Sequence, residues 1–354
     1  MKHQAKAVLR EAYARVLFHT GLHALVNRFM PRRLLIMLGH CLETEDNRGL
    51  PADMKISPAK LGEILEWLKG RYEFGTVSAS HRSLIDGASG KSLVALTMDD
   101  GYRDNATQLL PFLAVRKIPA TIYLESRPLD ERLVNWSHLF FWLVEREGVE
   151  LVARRYLTAS EDADALEGLR RCLEDGDAKL EYRIKRVLKY DADAADRERV
   201  LAILFEESGG DMAALTGELY LTWDQARELQ AAGWELGGHT INHPVLARLS
   251  QAEASREIGE GAASLKRELG SESVSFAYPF GRPWDYNGES VDAVRASLFQ
   301  NAVTTTSGVN SPATEAFLLK RIAIGEESKL HLIATEACGG FELLRRFGLD
   351  LSPA

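Results

Sequence analysis

From residue 34 onward, short apolar runs alternate with stretches of helical periodicity, and this alternation constrains the fold more than any other feature of the chain. It is the signature of a mainly parallel sheet wrapped by helices. Strands are predicted at 34–38, 74–78, 93–98, 120–124, 234–237, 275–278 and 302–306, with helices at 58–69, 107–116, 222–232, 251–269 and 288–298. About seven parallel strands of this kind would close an α/β barrel. With 354 residues, 45% of them hydrophobic, the chain has ample material for one barrel core.

Two segments depart from the alternation. Between Trp136 and Leu219, Ala, Glu, Arg, Leu and Asp recur in helical periodicity with few β-branched runs, so 136–219 reads as a helical insertion into a single domain spanning 1–354. Residues 1–33 read as N-terminal amphipathic helices, made basic by Lys2, Lys6, Arg10, Arg15, Arg28, Arg32 and Arg33. Two readings of these helices stay open: contact with the inner membrane surface through anionic lipid, or packing over one end of the domain with solvated charges.

Overall charge is −8, from 43 basic and 51 acidic side chains, which argues against a general nucleic-acid partner. Cys41, Cys172 and Cys338 are widely spaced, so neither a disulfide framework nor a thiolate metal site is expected. Charges interrupt every apolar run of the first residues, leaving no signal-peptide core and no membrane span. The expected location is therefore the cytoplasm, peripheral at the inner membrane surface if the basic helices bind lipid. The sequence specifies no oligomeric state.

Chemistry concentrates in two strand exits. In LTMDDGYRDN an apolar strand ends in Asp99, Asp100 and Gly101, and groups at the C-terminal ends of barrel strands face the active site. Adjacent carboxylates repel unless a cation or shared proton separates their roles, so one suits a metal and the other a base. The alternative is a turn that caps the next helix. In GGHTINHP, His239 and His243 follow another predicted strand at a spacing that can turn both imidazoles to one side. Asp100, His239 and His243 together would make a three-ligand site with an open position.

These segments, with FAYPFG at 276–281, resemble the polysaccharide deacetylases of carbohydrate esterase family four, the NodB-homology fold. The resemblance runs from about Leu34 to Ile324, outside the insertion, with the motifs in the expected order. It implies a distorted (β/α) barrel, a divalent metal, usually Zn2+, and removal of an N-acetyl group from an amino sugar. It assigns Asp99 as catalytic base, Asp100, His239 and His243 as metal ligands, and the backbone N–H of Phe280 as an oxyanion donor. Ala277 stands where the family usually has the arginine that orients the base. Arg321 in LKRIAI is the replacement, or else a plain strand-edge arginine. For the general acid the resemblance offers His40, leaving the first strand, and His331, in a late helical segment. Arg103, Tyr278, Trp284 and Arg321 are weaker substrate-binding candidates, and Asp104 and Asn105 read as caps for the helix that follows. Cytoplasmic placement favours a substrate in glycan assembly, whether a glycan, a lipid-linked intermediate or a smaller sugar conjugate. Alternatives are a metal-dependent amidase acting on a formyl group or non-sugar amide, and a catalytically silent carbohydrate-binding relative.

Overall fold

A computed structural model describes residues 2–43, 49–87, 90–176, 178–270 and 274–351, with side chains from residue 6 onward. Eight strands form its main sheet: β1 (Leu34–Gly39), β2 (Glu73–Phe74), β3 (Leu93–Met98), β4 (Ala120–Leu124), β5 (Glu235–Gly238), β6 (Ser275–Ala277), β7 (Asn301–Val303) and β8 (Ile322–Ala323). All pairings are parallel, in the order β8, β1, β3, β4, β5, β6, β7, with β2 beside the start of β3. Their near-continuous apolar runs fit burial on both faces: every residue of β1, β3 and β4 is buried.

The sheet curls until its two ends meet. Val303 bridges Leu319 in parallel, and the Thr304 N–H donates to the Leu319 carbonyl at 2.8 Å. Three residues later the same segment becomes β8 and pairs with β1, Met37 opposite Ile322. The result is a distorted (β/α) barrel whose closing segment, 319–323, is absent from the predicted strands. Lys320 and Arg321 break its apolar pattern, so periodicity does not reveal it.

Helix Gln251–Leu269 has the predicted bounds, with a Ser250–Glu253 capping box at its start and left-handed Gly270 at its end. The strand predicted at 74–78 is a correction. Only Glu73–Phe74 is extended, and Val77–Ile85 is a helix. Its buried Val77, Ser80, His81 and Leu84 follow helical spacing, and its first N–H groups are taken by Thr121 Oγ1 and the Glu235 carboxylate.

Six helices occupy 136–219 among the described residues: Trp136–Glu147, Val149–Ala159, Ala163–Asp175, Leu180–Tyr190, Ala194–Glu207 and Met212–Leu219. Asn135, Asp162, Asp193 and Asp211 cap four of them, and Phe140, Tyr156, Leu169, Leu201 and Phe205 pack in a cluster that also takes in Cys41, Leu50 and Tyr102. The chain re-enters the barrel at Tyr220, which bridges Tyr102 just past the end of β3. The insertion is thereby pinned at the strand ends that carry the acidic motif.

At the chain start, Lys2–His19 and Leu22–Phe29 are helices, and the first packs Ala14 and Leu17 inward against the C-terminal helices Leu330–Ala337 and Gly340–Arg346. No helix among the described residues is long and apolar enough to cross a membrane.

Close approach of β4, β5 and β6 depends on Gly237. A Cβ there would meet the Tyr123 ring and stand 2.8 Å from the Ser275 carbonyl oxygen. Gly237→Ala is expected to destabilise the fold by about 1–3 kcal/mol, measured by chemical denaturation.

Candidate metal centre and active site

The two motif loops are built from backbone that ordinary side chains avoid. Asp100, Thr240, His243 and Phe280 all have positive φ, at 71°, 68°, 51° and 60°, and they are four of the six non-glycine residues so disposed among the described residues. Such conformations cost on the order of 1–3 kcal/mol each and persist where surrounding contacts over-determine them. Here those contacts are explicit. Glu257 accepts from the N–H groups of Ile241 and Asn242, both at 3.0 Å, and from the Asn242 amide. Thr240 Oγ1 accepts the His243 N–H at 3.0 Å.

The turn so clamped brings both imidazoles to Asp100. His239 Nε2 lies 3.4 Å from Asp100 Oδ1 and His243 Nε2 lies 3.6 Å from it. One ligand atom from each of the three buried residues falls within 4.8 Å of the others. Metal bonds of about 2.1 Å at tetrahedral angles place ligand atoms roughly 3.4 Å apart, so the spacing suits one small divalent cation. The His239 Nδ1–H donates to the Ala277 carbonyl at 2.7 Å, which turns the Nε2 lone pair toward Asp100. Asp100 Oδ1 is buried without a hydrogen-bond partner, as a carboxylate oxygen reserved for a cation would be. The electrostatics agree. Burial opposes ionisation of Asp100, but His239, His243 and His40 outweigh it and hold its carboxyl well below the usual range. Burial likewise opposes a proton on His239, yet Asp100 and Asp99 raise its pKa, so the pocket favours positive charge.

Asp99 takes a different partner. Arg321, fully buried, grips both carboxylate oxygens at 2.7 and 2.8 Å, while its Nε–H donates to the Thr304 carbonyl and a second N–H to Thr97 Oγ1. Of the two readings of Arg321, the structure has the Asp99 partner and not the strand-edge residue. The bidentate fork fixes the orientation of the carboxylate in a way a lysine could not.

His40 leaves β1 half-buried, with its charge felt by Asp100. Asp104 and Asn105 hold this exit, Asp104 accepting the Leu42 N–H at 2.7 Å and Asn105 donating to the His40 carbonyl at 3.2 Å. Both thus brace the first strand's loop. His331 instead meets Glu11 on the N-terminal helix at 2.8 Å, away from the cluster. The Phe280 N–H donates to no group among the described residues, and its ring packs 4.5 Å from that of His243 with Lys189 Nζ 3.4 Å over it.

A family model described as polysaccharide deacetylase matches residues 86–176 and 187–301, more than half of the chain and including both strand-exit motifs. The chain belongs to the polysaccharide deacetylase family. A Bacillus subtilis (strain 168) protein, YxkH, provisionally named a polysaccharide deacetylase, is 27% identical over 105 residues, which cover 30% of this chain and 37% of that relative. Among solved structures, the Streptococcus pyogenes deacetylase PplD in complex with acetate superposes with a TM-score of 0.56 at 18% identity, covering 87% of this chain and 99% of that one. IcaB from Ammonifex degensii gives 0.55 at 18% identity, covering 87% and 98%. At these identities the two structures share the fold.

Three substrate-binding expectations are corrected, Arg321 among them because it is buried on Asp99. Tyr278 is buried, stacked on Tyr286 and edge-on to Phe276, and belongs to the core because β6 turns it away from the cleft. Arg103 reaches the Gly217 carbonyl at 3.3 Å and ties the barrel to the insertion's exit. Trp284 is 60% exposed, with its indole N–H on Tyr190 of the insertion at 3.0 Å.

The motifs alone do not disclose the support behind Asp100 Oδ2. Tyr102 donates to it at 3.0 Å, His138 lies 2.6 Å from the Tyr102 oxygen through Nε2, and Tyr220 meets His138 Nδ1 at 2.8 Å. Burial pushes His138 down to about 4, so at neutral pH the ring carries one N–H. Since a carboxylate only accepts, every bond in this relay runs one way: Tyr220 to His138, His138 to Tyr102, Tyr102 to Asp100. A Tyr102 so close to DDG was a visible signal, but His138 comes from the insertion and Tyr220 from its exit, where no spacing rule applies.

The relay predicts acid sensitivity. With a folded pKa of about 4 against 6.5, His138 is neutral in both states above pH 6.5. Below that the unfolded chain takes the proton first, so stability falls until about pH 4, by up to about 3 kcal/mol. Denaturation across this range is expected to show a shallower loss in His138→Gln.

Proposed function

We propose that this member of the polysaccharide deacetylase family is a zinc-dependent hydrolase that removes the N-acetyl group from an amino sugar of a glycan, a lipid-linked intermediate or a sugar conjugate. The observation that carries the reading is the convergence of Asp100, His239 and His243 on one point, beside an Asp99 gripped separately by Arg321. A bound divalent metal supplies Lewis-acid polarisation of the acyl carbonyl and acidifies water. Asp99, held by Arg321, accepts the proton of the attacking water. The unpartnered Phe280 N–H donates to the oxygen that gains charge. His40, on the opposite rim from the histidine pair, returns a proton to the departing nitrogen, giving a free amine and acetate. Trp284 offers an apolar face to the sugar ring. A cytoplasmic location belongs to the same proposal and is supported by three free, buried thiols.

Two sets of variants separate the roles. Asp99→Asn is expected to retain zinc and lose roughly a hundredfold or more in turnover, whereas His239→Ala and His243→Ala lose the zinc itself. Metal analysis beside release of acetate from N-acetylated amino-sugar oligomers measures both, and equal zinc in all three variants would overturn the assignment. His40→Gln is expected to keep zinc and lower turnover by about a hundredfold. An unchanged rate would remove His40 from the mechanism.

A further inference from the structure

The N-terminal helices bury one face and leave a second apolar face bare. In Lys2–His19, Ala14 and Leu17 are buried and Tyr13 donates to the Gly340 carbonyl, while Val8, Leu9 and Val16 point outward at 70%, 54% and 57% exposure. The next helix, Leu22–Phe29, has no buried residue, although Leu22, Leu25 and Phe29 share one face at i, i+3, i+7 spacing. Phe347 and Leu349, just past a helix that touches this one, are bare as well. Eight of the fifteen exposed large apolar side chains among the described residues therefore gather at one place, which scattered surface hydrophobicity does not explain. An amphipathic helix that merely covers the barrel would turn a polar face outward.

Charge says what fits this face. Residues 1–33 carry seven Lys and Arg against Glu11 as their only acid, in a chain whose net charge is −8; Arg33 is buried, and Arg10, Arg15 and Arg32 pair with Glu336, Glu11 and Glu73. Lys2 lies outside the described side chains. Lys6, Arg28 and Arg346 form no ion pair among the described residues. Trp67, packed by Phe18 and His23, joins the same surface with Arg71 over its ring.

We propose that the two N-terminal helices dock this face, lying in plane, on an anionic lipid bilayer. Outward Leu, Val and Phe enter the acyl boundary while the basic rim meets lipid phosphates. A second copy of the chain fits less well, because a self-complementary contact sets Lys6 and Arg28 against their own kind. Docking leaves the cleft open. Phe29 precedes the start of β1, whereas His40 leaves its far end, about 20 Å further along the strand. The inference does not depend on the chemistry assigned to Asp99.

Co-sedimentation of the intact protein with phosphatidylcholine vesicles, with and without phosphatidylglycerol, tests it. The wild type is expected to pellet with the anionic vesicles and to release as salt rises. The Leu25→Asp/Phe29→Asp variant is expected to bind about tenfold more weakly or worse at unchanged melting temperature, since that helix buries no residue. Absence of wild-type binding to anionic vesicles, or equal binding to both kinds, would overturn the proposal. So would light scattering that shows a wild-type dimer made monomeric by the double substitution, which would assign the face to a second copy.

Discussion

Two buried carboxylates on consecutive residues repel each other, and the fold answers by giving each its own source of positive charge. Asp99 receives Arg321 and Asp100 receives the paired imidazoles. Separate partners make separate roles: a carboxylate locked in a guanidinium fork is oriented but kept from a metal, while one with an orphaned oxygen is open to it. Neither arrangement survives without the positive φ at Asp100, which lets neighbouring residues face different surroundings.

Barrel closure and the orientation of Asp99 are one event. The segment that completes the ring by pairing with Val303 and with β1 is the segment that delivers Arg321, and its Nε–H is anchored on the Thr304 carbonyl beside the closing bridge. In the family pattern the orienting arginine comes from the strand that here bears Ala277. Here Asp99 receives Arg321 from the closing segment, which pairs with β7, one strand beyond β6. The charge beside the carboxylate is supplied from a neighbouring part of the ring, and the position of that charge is what matters to the carboxylate.

Strands with uninterrupted apolar runs were legible in the sequence because burial on both faces leaves no room for polar residues; β1, β3 and β4 are examples. Helix Gln251–Leu269 was legible because its cap and its terminal glycine are local signals. Asp99, Asp100, His239 and His243 stood out as strand-exit motifs, and the structure gathers them. What was hidden depends on contacts across long sequence separations. Residues 74–78 looked extended because Val77 and Ser78 carry little helical signal, and the helix there starts on Thr121 and Glu235 from distant strands. Tyr278 looked like a sugar-facing aromatic, but alternation along a three-residue strand is too short to fix its face. His138 was one polar residue among many in a helical insertion. Only folding brings it to Tyr102.

The partner of Asp99 lies 222 residues further along the chain. A nascent chain still lacking Arg321 would have to bury that carboxylate alone, at a penalty of about 3–5 kcal/mol, a large share of the roughly 5–15 kcal/mol that holds an average domain together. The barrel therefore has no stable half-built form with its centre in place. The ribosome must release nearly the entire polypeptide before the site can lock, and premature termination before residue 321 leaves a product for proteases rather than a slower enzyme.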